Sequence, residues 1–552
     1  MRKRLSGGCY ARYRDRRVVT GWQIFTSLGG IALRFSSFPV VLSCAMTGAT
    51  RGIEGFLVRV EVYLADGVPA FHTVGLPDTS VREARERVRA ALTTSGFKFP
   101  ERRITINLAP ADVPKQGSGF DLAVAVGLLA AKGAVSAERL ESTLLMGELA
   151  LDGGLRPVRG VLPVAVEART AGLAAALVPK LNGEEAALVE GLAVYPVSTL
   201  REVVNLLTVG PMPKPYQSTG TRSRPNPGLA DLADVKAQYG AKRALELAAA
   251  GGHNLLFYGP PGAGKTLLAR RLPSLLPPLR LDEAIEVTKV HSVAGKLSPG
   301  VGLLTEPPFR APHHTISWAA MAGGGPGPMP GEVSLAHRGV LFLDELAEFP
   351  RNALESLRQP LEEGSILVSR VGRSVRMPSR FTLIAAMNPC RCGYLGAEAR
   401  ACSCSPGLVR RYRSRVSGPL IDRIDLQVYV RALNGDQLLS PGSAEPSSVV
   451  RERVVRARAI QAERFAQSHL SHSRINAAMT PREVIRFCEL SPAGRSSLRR
   501  AVDGLGLSAR AFDRVLKVAR TIADLEGESA IRESHLQEAI EFRSLDSEQV
   551  LE

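Results

Sequence analysis

The sequence predicts an α/β protein with two successive α/β units and a helical C-terminal part, and three observations carry that reading. An apolar strand, Asn254 to Tyr258, runs into Gly259-Pro260-Pro261-Gly262-Ala263-Gly264-Lys265-Thr266 and a helical segment at Leu267 to Leu272, the order that a phosphate-cradling loop requires. Upstream, Pro39 to Thr208 alternates strand-like and helix-like segments. Downstream of a polar break at Asn434 to Ser448, helix-start signals replace strand signals.

At 552 residues the chain exceeds what one core serves, and about one domain per 150 residues suggests three or four units. No stretch approaches the ~20 uninterrupted apolar residues of a membrane span, so a soluble protein without membrane contact is expected, and seven cysteines in so long a chain suit the reducing environment of a cytoplasmic protein. Lys and Arg total 70 against 53 Asp and Glu; the resulting +17 favours a polyanion such as nucleic acid or marks a generally basic surface, and position has to decide.

Arg2, Lys3 and Arg4 precede a moderately apolar stretch from Val18 to Ala45, but Arg34 interrupts it and charges from Arg12 to Arg17 intervene, a pattern against a secretory signal. Residues 1–38 are expected to be a disordered extension or the product of a start codon assigned too early. The first α/β domain spans 39–208. In it Leu57 to Leu64 alternates apolar and polar residues, Ser80 to Ser95 is a charged helix, Ile104 to Leu108 a short strand, and Asp121 to Ala131 an apolar helix. Residues 209–228, opening with Gly210-Pro211-Met212-Pro213, are too rich in proline and polar groups to pack and read as a linker. The second α/β unit covers 229–435 and a helical lid 436–552, where Thr480-Pro481-Arg482-Glu483 is a capping box, Ser491 and Ser508 start further helices, and Val515, Val518, Ala519 and Ile522 share one face.

In the loop, glycines let backbone N–H groups wrap phosphates, Lys265 is expected to reach the β- and γ-phosphates of ATP, and the Thr266 hydroxyl to ligate magnesium. The partner motif is Val340-Leu341-Phe342-Leu343-Asp344-Glu345, a buried parallel strand ending in two carboxylates. Asp344 is expected to hold the hydrated magnesium and Glu345 to polarise the attacking water.

Further motifs are Gly75-Leu76-Pro77-Asp78, Asn107-Leu108-Ala109-Pro110-Ala111-Asp112, Phe309-Arg310-Ala311-Pro312-His313-His314-Thr315, and Gly331-Glu332-Val333-Ser334-Leu335-Ala336-His337 leading into the Asp-Glu strand. On these the chain, from about Val41 onward, resembles the AAA+ ATPases and, among them, the YifB/ComM family of the magnesium-chelatase-like branch. The resemblance implies an AAA+ core with a helical lid. It also implies that Asn388, after the apolar strand Thr382 to Met387, helps place the attacking water. Arg423 looks like an arginine finger inserted by a neighbouring subunit, which requires a ring, expected to be a hexamer; a surface ion pair with Asp422 or Asp425 is the alternative. Arg510 matches the second sensor arginine on the lid, with Arg514 one turn later as the other choice.

Between Glu362 and Arg380 the chain reads as strand, turn at Gly372, strand, and carries Arg370, Arg373, Arg376 and Arg380 without an acid after Glu363. A solvated face is one reading. In this ATPase branch such a hairpin projects toward the ring pore, so the resemblance makes Arg370 and Arg373 candidate DNA-phosphate contacts. The Phe309 to His314 run and the loop from Gly323 to Gly331 are expected to form a second pore-facing insertion.

Four of the seven cysteines, Cys390, Cys392, Cys402 and Cys404, form two CxC pairs. Four thiolates at such spacing can close a tetrahedral zinc site, or remain reduced and unliganded.

Pro114 to Asp121 and Gly147 to Leu155 resemble the proteolytic domain of Lon, which uses a serine activated by a lysine. Here the nucleophile position falls on Gly119 and the lysine position on Val158, between Arg156 and Arg159. Ser118 is displaced by one residue, so no peptidase activity is expected. Two functions then compete: an ATP-driven ring that translocates on single-stranded or branched DNA, with branch migration or helicase-like action in recombination and natural transformation, and a protein-remodelling ATPase like the chelatase subunit. The front domain and the arginine hairpin favour the first.

Overall fold

The computed structural model describes residues 41–543 apart from 209, 219–229, 299, 326–327, 371–372, 398–399, 440–444, 468–473 and 506. The expected extension 1–38 and the second half of the expected linker lie outside the described residues.

The N-terminal unit is built on a long antiparallel pair, β1 (Val41–Arg51) and β2 (Glu54–Ala65). Val58, Val60, Val62 and Leu64 are buried while their alternates are not, which is the period of two read from the sequence. With β3 (Ala70–Val74), β4 (Arg103–Ala109), β5 (Thr143–Leu145), β6 (Ala175–Pro179) and β7 (Ala193–Val197) they form a seven-stranded mixed sheet in the order β3-β4-β2-β1-β5-β6-β7. Helix α1 (Thr79–Thr94) starts where the Asp78 carboxylate accepts from the Val81 N–H at 2.8 Å. Helix α2 (Asp121–Ala131) is buried along nearly its whole length, as its apolar composition demands, and α3 (Val161–Thr170) covers a second apolar cluster.

The first half of the expected linker does pack. Tyr216 donates from its N–H to Val194 O at 2.8 Å and from its hydroxyl to Glu184 Oε1 at 2.5 Å, while Ser218 Oγ donates to Glu184 Oε2 at 2.7 Å. Proline content removes donors but leaves Tyr216 free to add a short strap along β7, which the composition argument overlooked.

The second unit opens with α4 (Tyr239–Gly251) and centres on a five-stranded parallel sheet: β8 (Leu255–Tyr258), β9 (Phe309–Arg310), β10 (Val340–Leu343), then after an excursion β13 (Thr382–Met387) and β14 (Leu426–Tyr429), in the spatial order β9-β10-β13-β8-β14. The central strands are apolar on both faces because helices cover both. The excursion is the antiparallel hairpin β11 (Ser365–Arg370) and β12 (Arg373–Pro378), whose strands agree with the sequence reading. Helix α5 (Leu281–Ala294) joins this unit to the first: Ser292 Oγ donates to the buried Glu185 Oε2 at 2.5 Å, and Gly160 N–H to Ser292 O at 3.2 Å.

The helical part comprises α6 (Ser447–Ala466), α7 (Pro481–Phe487), α8 (Pro492–Leu505), α9 (Ala509–Leu525) and α10 (Glu533–Glu541). The capping box forms, with the Thr480 N–H donating to Glu483 Oε2 at 2.6 Å, and Val515, Val518, Ala519 and Ile522 are all buried. Among the described residues no helix is long and apolar enough to cross a membrane.

Candidate nucleotide-binding site

The loop after β8 takes its shape from its glycines. Gly259, Gly262 and Gly264 have φ of +156°, +77° and +90°, and a Cβ on Gly259 would lie 2.2 Å from Val430 O, so only glycine fits there. The helix after the loop is shorter than the sequence suggests, Lys265–Ala269, because Arg270 and Arg271 turn the chain before a second short helix begins at Leu272. Arg271 is buried and spends its guanidinium on the Asp231 and Leu267 carbonyls.

Lys265 is buried, and its Nζ donates to Gly259 O at 2.7 Å, Pro260 O at 2.8 Å and Asn388 Oδ1 at 3.0 Å. Burial pushes its ammonium down to about 8, and the Asp344 carboxylate opposes that shift. The expected lysine and the expected sensor asparagine therefore touch, because β8 and β13 are parallel neighbours that end side by side.

Thr266 Oγ1 donates to Asp344 Oδ2 at 2.7 Å. A hydroxyl and a carboxylate converging at the tips of β8 and β10 make a small all-oxygen donor set, which suits magnesium holding most of its waters. Next to it, Glu345 adopts φ +54°, an uncommon backbone for a non-glycine residue of the kind that gathers at functional sites. Its carboxylate meets His314 Nδ1 at 3.1 Å.

The sequence places that histidine in an expected pore-facing insertion and does not mark its contact with Glu345, which the strand register sets. Arg310 pairs with Leu341 across β9 and β10; His314 and Glu345 each lie four residues further on. Arg310 is itself fixed by a bidentate pair with Glu332, 2.7 Å on each arm. His314→Ala is expected to lower kcat for hydrolysis about tenfold with nucleotide affinity unchanged, less than the roughly 10²–10⁴ supplied by a general base itself. Steady-state rates against a binding titration check this, and His314→Gln, which keeps a polar partner, is expected to recover part of the loss.

Arg423 is buried and pairs with Glu362 while also donating to Pro419 O. Neither acid weighed from sequence is its partner: Asp425 is taken by Arg514 and accepts from the Asn254 N–H at 3.0 Å. The Arg514 guanidinium holds the Asp425 carboxyl well below the usual range despite burial. Arg510 is exposed at the start of α9, 3.9 Å from the same Glu362. Of the two lid arginines, Arg514 is thus committed inside the chain and Arg510 stands at the surface.

The side chains of Arg370 and Arg373 lie outside the described residues; their backbones pair at the end of the β11–β12 ladder. Arg376 and Arg380 are exposed. In the N-terminal unit a Cβ built on Gly119 would lie 3.8 Å from Val158 Cγ1, so the two positions aligned with a serine–lysine pair do face each other, as glycine and valine. Ser118 Oγ instead donates to Glu148.

The four cysteines converge. Cys390 Sγ lies 3.3 Å from Cys392 Sγ and 3.6 Å from Cys402 Sγ, and Cys392 and Cys402 are 3.5 Å apart. All four sulfurs lie within 4.8 Å of one another.

Known proteins resemble the chain over most of its length. Residues 231–438 match the family model "Magnesium chelatase, subunit ChlI", 60–182 "Subunit ChlI of Mg-chelatase" and 444–543 "Magnesium chelatase, subunit ChlI C-terminal". The chain is similar to competence protein ComM of Haemophilus influenzae, 45% identical over 510 residues, covering 91% of this chain and 98% of that one. It is similar to YifB of Escherichia coli, 43% identical over 517 residues, covering 92% and 97%. A stretch of 177 residues is 28% identical to Lon protease 2 of Bacillus subtilis, covering 29% of this chain and 31% of that one.

Proposed function

Since the chain belongs to the YifB/ComM family of magnesium-chelatase-like AAA+ ATPases, we propose that it is a ring-forming ATPase that moves along or remodels single-stranded and branched DNA during recombination and natural transformation. The observation that carries the DNA reading is the hairpin β11–β12. It is an excursion from the sheet between two core strands, with exposed Arg376 on its second strand, exposed Arg380 two residues beyond that strand, and the backbones of Arg370 and Arg373 paired at its end. Arg376 lies 3.7 Å from Glu363 with both side chains exposed, a weak pair that leaves the charge open to a phosphate backbone. The net charge of +17 and the competence protein among its relatives point the same way.

ATP lies with its phosphates in the loop Gly259 to Thr266. Lys265 leaves the carbonyls of Gly259 and Pro260 for the β- and γ-phosphates, whose charge favours its ammonium form against burial. Thr266 and Asp344 would hold magnesium, which when bound would supply positive charge to offset that of the phosphates. Glu345, steadied by His314, polarises the water, and Asn388 keeps it in line with the γ-phosphorus. Arg423 of the neighbouring subunit completes the pocket. The N-terminal unit, with glycine and valine in place of serine and lysine, does not cleave peptides.

ATPase rates with and without single-stranded and four-way-junction DNA test this reading. Stimulation by DNA and movement of the junction are expected; their absence sinks the motor and favours remodelling of a protein. Arg373→Ala is expected to weaken DNA binding about tenfold and to flatten its salt dependence by about one phosphate contact, with ATP affinity unchanged. Equal loss of both affinities reports a folding defect instead.

A further inference from the structure

We propose that Cys390, Cys392, Cys402 and Cys404 hold one zinc ion, and that this zinc is a positioning element of the ATP site, setting the rate of hydrolysis by clamping the turn that abuts the phosphate loop and Asn388. The role in hydrolysis rests on the ATPase reading; the metal site stands on its own geometry.

The sulfurs are too far apart for a disulfide, which needs about 2.05 Å. Their separations of 3.3, 3.5 and 3.6 Å fall close to the edge of a tetrahedron around zinc. With Zn–S near 2.3 Å that edge is about 3.8 Å. Four thiols this close, uncommitted to bridges, repel one another once ionised; a divalent cation displaces their protons and turns that repulsion into ligation. All-sulfur tetrahedral sets select zinc or iron. From Arg391 to Cys404 no described residue is in a helix or strand, so the segment has no regular backbone ladder to hold it.

The cluster is joined to the nucleotide site at three points. Cys390 is fully buried, two residues beyond Asn388, whose side chain already accepts from Lys265. Gly393, with φ +86° and its N–H on Cys390 O at 3.0 Å, is pressed against the phosphate loop so closely that a Cβ there would sit 2.7 Å from Pro261 Cδ. At the far end of the turn, the Tyr429 hydroxyl donates to Gly396 O at 3.1 Å, and the Tyr429 ring lies 5.3 Å from that of Tyr258, the residue immediately before Gly259. A metal that fixes Cys390 to Cys404 therefore fixes one wall of the loop and the residue after the sensor strand. Releasing it frees Asn388 and Pro261 while leaving Lys265, Thr266 and Asp344 on their own elements.

The test uses the full-length protein. Metal analysis is expected to find about one zinc per chain, and cobalt-substituted protein to show thiolate-to-cobalt charge-transfer bands with tetrahedral d–d bands that shift when ATP binds. Cys404→Ser and Cys402→Ser, and wild type stripped with a mercurial while released zinc is followed by an indicator dye, are expected to lose about tenfold or more in kcat with nucleotide affinity changed by less than about threefold. Returning zinc to the stripped protein is expected to restore the rate. Circular dichroism and melting curves separate this from unfolding, in which affinity falls together with rate. Absence of zinc, iron in its place, or a zinc-free protein that hydrolyses ATP at the wild-type rate overturns the proposal. Hydrolysis that survives Lys265→Ala in the zinc-loaded protein overturns the ATPase reading beneath it, leaving the metal result standing.

Discussion

Glu345→Gln stops turnover and spares binding: kcat is expected to fall by about 10²–10⁴ while ATP affinity holds, the amount a positioned general base supplies. The substitution keeps the size and one oxygen of the side chain but removes the charge that draws a proton from water. Glu345 bonds nothing that shapes the phosphate loop; its carboxylate faces His314, and only its N–H touches Asp344. The pocket for ATP and magnesium therefore survives the change. Lys265→Ala is the informative contrast, since it removes two hydrogen bonds inside the loop and one to Asn388 as well as the phosphate contact, and is expected to lose affinity first. Fluorescent-nucleotide titration alongside phosphate release distinguishes the two, and equal loss of binding in both variants would show that Glu345 is structural.

Arg423→Ala is expected to cost about 10³–10⁵ in hydrolysis by the assembled protein, the range for an arginine finger. Arg423 is buried against Glu362 within its own chain, so reaching a neighbour's phosphate means exchanging that partner. Glu362 lies three residues before the β11–β12 hairpin, and Arg510 is 3.9 Å from it too. Mixing decides the matter. Chains with Arg423→Ala and chains with Lys265→Ala, each inactive alone, are expected to regain activity together, because an intact pocket on one then faces an intact arginine on the other. No recovery, with both variants folded and assembled, would mean that Arg423 serves only its own chain.

Local pattern made much of this molecule legible. The period of two in β2, the apolar run Thr382 to Met387, the paired strands β11 and β12 and the capping box at Thr480 each depend on residues close in sequence, and each forms as read; the expected turn at Gly372 lies outside the described residues. The phosphate loop was legible for the same reason. The pairs that escaped are those made by sheet order. β8 comes first in sequence yet sits between β13 and β14, so Lys265 meets Asn388 across 123 residues. Glu362 meets Arg423 across 61, a pairing that no spacing rule marks while Asp422 and Asp425 stand beside the arginine in sequence. The strap at Tyr216 escaped for another reason: composition describes an average, and one aromatic residue was enough to dock the segment.

The parallel pairing of β9 with β10 also acts as a ruler. Ala311-Pro312-His313 is the length of chain that matches Phe342-Leu343-Asp344, and proline stiffens it. Substitutions within that spacer leave its length alone, but adding or removing one residue would slide His314 by about 3.3 Å, past the reach of a hydrogen bond. The segment should therefore tolerate changes of side chain and resist changes of number, a constraint that falls on a short stretch of loop rather than on any residue that touches ATP.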